Sequence, residues 1–202
     1  MTGRNFAISA SDSSSITLNH VSPNRQNPLI VVIGVSGSGK STVGELLAGE
    51  LGVPFKDADD LHPASNVAKM AAGHPLDDED RWPWLRLVGE ALKESNKART
   101  GLVIACSALK RAYRDAIREV EARAQFVLLD GSRELLATRL SHRKGHFMPL
   151  ALLDSQLATL EHLAADESGV TIAIDQSPLA IAASASAAVR IHATHKGTRG
   201  RE

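Results

Sequence analysis

Cysteine is almost missing from this chain: Cys106 stands alone among 202 residues, so no internal disulfide can form and the chain reads as one kept in a reducing compartment. Net charge is missing too, since 23 Lys plus Arg offset 23 Asp plus Glu. That leaves no global basic field to attract nucleic acid and no acidic excess suggesting disorder, so any charged partner has to be recognised locally. No apolar run approaches the length of a membrane span, and residues 1–27 hold no continuous apolar stretch of the secretory kind. A cytoplasmic protein with neither a membrane nor a nucleic acid as partner is the expectation. Aromatics amount to only 3%, and core packing is the default place for Trp82 and Trp84. No internal repeat is found.

What is present is organised around one stretch. The apolar run Leu29–Ile33 breaks into Gly34-Val35-Ser36-Gly37-Ser38-Gly39-Lys40-Ser41-Thr42, after which helical periodicity resumes. This is a phosphate-binding loop in its required context: a buried strand delivers the chain, glycines let backbone N–H groups crowd a polyphosphate, and a helix adds its positive N-terminal end. A nucleotide is the expected ligand, with Gly34 to Thr42 as its contact set. Lys40 reaches the β- and γ-phosphates, and the Ser41 hydroxyl is a ligand for Mg²⁺. A glycine-rich turn that merely carries a lysine would not bring both flanks with it.

At this length one domain is expected, spanning residues 28–193, behind a disordered leader of residues 1–27 and ahead of a polar tail of residues 194–202. The helix after the loop carries Val43, Leu46, Leu47 and Leu51 at core spacing, and Gly52 stops it. Val53–Asp57 reads as a second strand ending in Asp57-Ala58-Asp59-Asp60. Acids two apart at the carboxyl end of a strand can project towards the phosphate loop, Asp57 to a water on Mg²⁺ and Asp59 to the proton of an attacking hydroxyl. A solvated acidic turn is the plain alternative.

A short helix within Leu61–Met70 presents His62, Asn66 and Lys69. Asp80 is a candidate N-cap for the helix that includes Trp82-Pro83-Trp84, with Pro83 in its first turn. A third strand, Leu102–Ser107, carries Cys106 as a buried small residue. The cations of Leu109–Asp115 then gather at the same sheet edge, either to clamp an anionic substrate or as a basic helix face. Gln125–Gly131 is the fourth strand, and Arg139 and Arg143 lead into a Gly- and Pro-bounded segment read as a phosphate-closing lid, residues 139–149. A leucine helix over Leu150–Leu163, a fifth strand over Val170–Ile174 and an Ala-rich helix over Leu179–Ala193 complete the chain. Gln176 and Pro178 sit where a nucleotide base would rest.

With these parts in place, the chain resembles the bacterial gluconokinases, in the shikimate-kinase and nucleoside-monophosphate-kinase branch of phosphate-loop proteins. The resemblance covers about Leu29 to Pro178. It is carried by the loop, Asp57-Ala58-Asp59-Asp60-Leu61-His62-Pro63, Asn66-Val67-Ala68-Lys69-Met70, Asp80-Arg81-Trp82-Pro83-Trp84-Leu85, Cys106 to Asp115, and Gly145-His146-Phe147-Met148-Pro149. Ala58 departs from the family's usual glycine.

The resemblance implies an α/β fold of the P-loop NTPase kind, three layers with a five-stranded parallel sheet of order 2-3-1-4-5 and a mobile lid. It implies transfer of the γ-phosphoryl group of ATP to the 6-hydroxyl of D-gluconate, giving ADP and 6-phosphogluconate for the pentose phosphate and Entner-Doudoroff routes. Lys40, Asp59, Arg139 and Arg143 are then the catalytic candidates, Arg139 also meeting ATP. Asp59, His62, Lys69, Arg81, Arg111 and Arg114 are the candidates for substrate. Family members are often dimers, so a homodimer is expected on resemblance alone. The rivals are a kinase for another small polyol acid such as shikimate, and a nucleotide-gated regulatory protein without transfer chemistry.

Overall fold

The computed structural model of the chain describes residues 27–142 and 150–198. The leader up to residue 26, Arg143 with the rest of the expected lid through Pro149, and the last four residues lie outside them.

Five parallel strands form one sheet in the order β2-β3-β1-β4-β5. They are β1 (Leu29–Ile33), β2 (Phe55–Asp57), β3 (Leu102–Ala105), β4 (Gln125–Asp130) and β5 (Gly169–Ala173). Between and after them run α1 (Lys40–Leu51), α2 (Ala64–Ala71), α3 (Asp78–Ala98), α4 (Arg111–Val120), α5 (Arg133–Ser141), α6 (Leu150–Thr159) and α7 (Pro178–Thr198), with a 3₁₀ turn over Ala58–Leu61. Strand β1 is central and wholly buried, as a parallel strand covered on both faces must be. Its alternation divides the core. Ile30 and Val32 pack with Val43 and Leu47 of α1 and Ile181 of α7, whereas Leu29, Val31 and Ile33 pack with Trp84 and Val88 of α3 and Ile117 of α4. The parallel register, Val32 opposite Ala105 on one side and Val127 on the other, brings the carboxyl ends of the three central strands to one edge.

Several boundaries differ from the sequence expectation, each for a local reason. Strand β2 starts at Phe55 rather than Val53: Pro54 accepts from Val103 N at 3.0 Å but has no N–H to give a ladder. The N-cap of α3 is Asp77, not Asp80. Asp77 accepts from Asp80 N at 3.0 Å and Asp80 accepts from Asp77 N at 2.9 Å, a reciprocal capping box. Pro83 consequently lies in the second turn, not the first. Helix α6 stops at Thr159 rather than Leu163, because the carbonyls of Glu161 and His162 turn towards Arg114. Helix α7 continues to Thr198, into the stretch expected to be tail.

Candidate active site

The phosphate loop leaves β1 at Gly34, whose φ of 149° no ordinary residue adopts; a Cβ there would lie 2.8 Å from Leu129 O and from Ser38 Oγ. The loop is thus pressed onto β4, and Ser38 is fully buried beneath it. Gly39 is the N-cap of α1 in left-handed geometry, φ 93°, and brings no side chain to cap the first turn. No acid occupies that turn either. The helix therefore opens on backbone N–H groups and a positive dipole end with no anionic side chain of its own beside them. Lys40 Nζ donates to Val35 O at 3.2 Å, folding its ammonium back over the loop.

Asp57, at the end of β2, joins the loop helix to the acid turn. It accepts from Ser41 Oγ at 2.8 Å through Oδ2 and from Asp59 N at 3.1 Å through Oδ1. The two oxygens foreseen as metal donors are therefore in contact. Although the Asp59 side chain is 79% exposed, partial desolvation by the turn, and next the charge of Asp57, raise its carboxyl above the ordinary value, while His62 and Lys40 pull it down. Ala58, where a glycine was the family norm, sits buried in the 3₁₀ turn; Arg99 is the only non-glycine residue with positive φ among the described residues, so this turn does not require glycine. Cys106 lies beside these acids but is buried, which pushes its thiol well up and keeps it unreactive.

The candidate substrate residues divide. His62 stacks on Trp84 and its Nε2 faces Asp59 Oδ1 at 4.0 Å. Arg81 lies over the Tyr113 ring, 5.9 Å from its centre, and donates to Leu76 O at 3.4 Å. Lys69 is held by Asp77 at 3.0 Å and by Asp80, the two acids of the α3 capping box, so it braces α2 against α3. Arg111 makes a two-pronged contact with Asp166, both distances 2.9 Å, and reaches Asp115.

Arg114 requires a correction. Its side chain is 0% exposed, bonded to Glu167 at 2.6 and 2.8 Å and to the carbonyls of Leu109 and Glu161 at 3.0 Å, so it ties α4 to the loop between α6 and β5 instead of facing open space as a clamp would. Its spacing with Arg111 suggested a clamp because the acid that claims it is 53 residues away.

Arg139 extends from α5 to both sides of the nucleotide edge, donating to Ser38 O of the loop at 3.4 Å and to Ile174 O beyond β5 at 2.5 Å. Gln176 follows closely, and Pro178 opens α7. A cavity of about 470 Å³ lies alongside, between Ser132 and Leu135 at the start of α5 and Ile174 and Asp175 after β5. Arg143 cannot be placed with it, lying outside the described residues.

Two features escaped the sequence reading. Gln156 of α6 accepts from Ser36 N in the phosphate loop at 2.7 Å, across 120 residues of sequence. Asp78 receives Lys110 at 2.7 Å and Tyr113 Oη at 2.5 Å, joining α3 to α4 at the acceptor side. A glutamine within a leucine helix and one acid within an acidic run carry no local signal.

The comparisons with known proteins agree with this geometry. The family model described as shikimate kinase matches residues 36–188. A gluconokinase of Gluconobacter oxydans is 50% identical over 149 residues, 74% of this chain and 84% of that protein. The thermoresistant gluconokinase of Escherichia coli is 41% identical over 156 residues, 77% of this chain and 89% of that protein. Among solved structures, a gluconokinase from Sinorhizobium meliloti is 45% identical, covers 88% of this chain and 99% of its own, and superposes with a TM-score of 0.78. The shikimate kinase of Aquifex aeolicus, 20% identical at a TM-score of 0.53 over 82% of this chain and 98% of its own, shares the fold. With its phosphate loop, its acid turn and relatives of this similarity along most of its length, the chain belongs to the gluconokinase family, within the shikimate-kinase-like phosphate-loop proteins.

Proposed function

We infer that the protein phosphorylates D-gluconate at the 6-hydroxyl with ATP, releasing ADP and 6-phosphogluconate. The observation that carries this is the acid turn bonded to the phosphate loop through Ser41 and Asp57, which supports a carboxylate working beside a bound γ-phosphoryl group, in a chain 50% identical to one gluconokinase. The loop from Gly34 to Thr42 cradles the phosphates with backbone N–H groups, and Lys40 neutralises charge that grows in transfer. Asp59 orients the alcohol and takes its proton as the oxygen attacks phosphorus and the bond to ADP breaks. Its side chain, 79% exposed and 4.0 Å from His62 Nε2, is open to an alcohol whose proton it can accept.

The Ser41 hydroxyl and the Asp57 carboxylate, 2.8 Å apart, form the oxygen pair that Mg²⁺ prefers, Ser41 as direct ligand and Asp57 through water. The ion, when bound with ATP, supplies charge neutralisation at the phosphates. Arg139, bridging the loop and the end of β5, steadies the nucleotide between them, with Gln176 and Pro178 towards the base. His62 and Arg81 meet the acceptor; Lys69 and Arg111 do so only by leaving their acids. A homodimer in the cytoplasm is part of the same reading. Among the described residues no helix is long and apolar enough to cross a membrane.

A coupled ADP-release assay across a panel of polyol acids tests the reading. Gluconate-dependent turnover is expected; turnover with shikimate and none with gluconate would replace the acceptor, and no acceptor-dependent turnover at all would leave only nucleotide binding.

A further inference from the structure

His62 is gripped more firmly than a surface cation, and the contacts that grip it also decide where its proton sits. Its side chain is 5% exposed. One ring face stacks on Trp84, centroids 4.2 Å apart and planes within 15°. Trp84 is fully buried and donates from Nε1 to Ala58 O at 2.7 Å, so the plate under the imidazole is bonded to the turn that carries Asp59.

The buried Asn66 settles the chemistry of one ring nitrogen. Its Nδ2 lies 2.7 Å from Asp80 O, a carbonyl that can only accept, so this atom must be the amide NH₂ and the flipped orientation is excluded. The same Nδ2 lies 3.4 Å from His62 Nδ1. An amide nitrogen offers a hydrogen and no lone pair, so Nδ1 is the accepting, unprotonated nitrogen. The neutral ring then carries its proton on Nε2, which faces Asp59 Oδ1 at 4.0 Å.

We propose that Asn66 is a positioning residue that fixes His62 as the neutral Nε2–H tautomer, and that this N–H and the Asp59 carboxylate frame a gap that holds one alcohol oxygen. A separation of 4.0 Å is too wide for a direct hydrogen bond, yet one oxygen can sit about 2.8 Å from both atoms. That oxygen accepts from Nε2 and gives its own hydrogen to Asp59, which leaves its remaining lone pair for phosphorus. The inference rests on the gluconokinase reading with Asp59 as base, and it changes what His62 contributes. The ring reads a hydroxyl as a neutral donor; it does not pair as a cation with the carboxylate of the substrate.

The surroundings of the ring agree. Burial lowers the imidazole's affinity for a second proton, and Arg81 from α3 acts in the same direction, while Asp59 from the turn opposes them. Helix α2 offers the ring only the uncharged Asn66. An imidazolium at this place would form an ion pair with Asp59 and blunt it as a proton acceptor.

The test uses the full chain with ¹⁵N-labelled histidine and long-range ¹H–¹⁵N correlation at neutral pH without ligands, the His62 signals being assigned by their loss in His62→Gln. Nδ1 at the shift of an accepting nitrogen and Nε2 at that of a protonated one is expected. A proton on Nδ1, or on both nitrogens, overturns the proposal. Kinetics with gluconate supply the second arm. His62→Ala should lower kcat/KM by about tenfold or more, the loss of one neutral hydrogen bond in the acceptor site. His62→Gln, which keeps a neutral N–H donor, should recover most of it, and His62→Lys should not. Recovery by lysine and not by glutamine overturns the neutral-donor role. Asn66→Ala should lower kcat/KM for gluconate, leave the KM for ATP unchanged and mix the His62 tautomers; should that variant not fold, the wild-type spectrum still decides. A wild-type protein with the Nε2–H tautomer but no gluconate turnover would refute the acceptor, whereas turnover with the other tautomer would refute this inference alone.

Discussion

The phosphate loop and the basic stretch Lys110–Arg114 are both short, cation-bearing segments at the carboxyl edge of the sheet, and they end up with opposite roles. In the loop the backbone carries the role: Lys40 bonds Val35 O, five residues back, and Gly34, Gly37 and Gly39 hold positive φ. In the basic stretch every cation is taken by an acid from far along the chain: Lys110 by Asp78, Arg111 by Asp166, Arg114 by Glu167. A motif whose function resides in its backbone can be read from its own residues. A cluster whose function resides in its side chains cannot, because the partner decides whether a charge faces a ligand or holds two elements together.

Substitutions at the loop and its acid turn should remove chemistry while leaving the fold. Asp59→Asn is nearly isosteric but cannot take a proton, so gluconate phosphorylation should fall by about 10²- to 10⁴-fold in steady-state assays while calorimetry still shows Mg·ATP binding. Asp57→Asn should instead weaken the dependence on Mg²⁺, since its partner is Ser41. The reverse pattern would exchange the two roles. Lys40→Ala should lower kcat by about 10²- to 10³-fold with an unchanged circular dichroism spectrum, and near-normal turnover would sink the loop's assigned role.

The two arginines Arg114 and Arg139 sharpen the contrast. Arg114→Ala strands Glu167, 2% exposed, as a buried charge without its partner, and should cost about 3–5 kcal/mol in urea unfolding. Arg139→Ala should leave the unfolding midpoint nearly unmoved and lower turnover more than ATP affinity. A destabilised Arg139→Ala and an intact Arg114→Ala would invert the distinction.

The smallest effect is on acid stability. Burial alone would raise the Glu167 carboxyl, but the hydrogen bonds from Arg114 and from Ala164 N hold it below its ordinary value. Its contribution is therefore complete above the unfolded value, about 4.3, and is lost as pH falls through the lower folded value. In Arg114→Ala only the Ala164 N hydrogen bond and the charge of Arg111 still oppose burial, so the folded carboxyl rises and the stability this group gains with rising pH shrinks. Urea midpoints taken from about pH 3 to pH 7 for both proteins measure the difference.

Much of the fold could be read because its signals are short-range. The apolar run of β1 and the helix stop at Gly52 depend on periodicity and turn chemistry within a few residues, and the structure agrees with them; the strand order, which the family resemblance implied, agrees too. Boundaries slipped where a neighbour competed, as at Asp77 and Asp80, two acids that each suit a cap and in fact share one. Asp57 and Asp59 were legible as acids at a strand end because β2 is parallel and its carboxyl edge is where such sheets gather ligands.

By itself the chain's sequence determined that a glycine-rich loop from Gly34 to Thr42 would join β1 to a helix and that an acid pair would stand at the end of β2, since backbone conformation and strand direction are local properties. Only the tertiary structure decided which cations face that site. Arg114 is consumed by Glu167 from 53 positions away, Gln156 reaches Ser36 across 120, and His62 is stacked on a tryptophan that the fold brings from α3. The physical reason is range: a backbone turn is set by its own torsions, whereas the state of a charged or tautomeric side chain is set by whichever donor or acceptor the packed fold places against it.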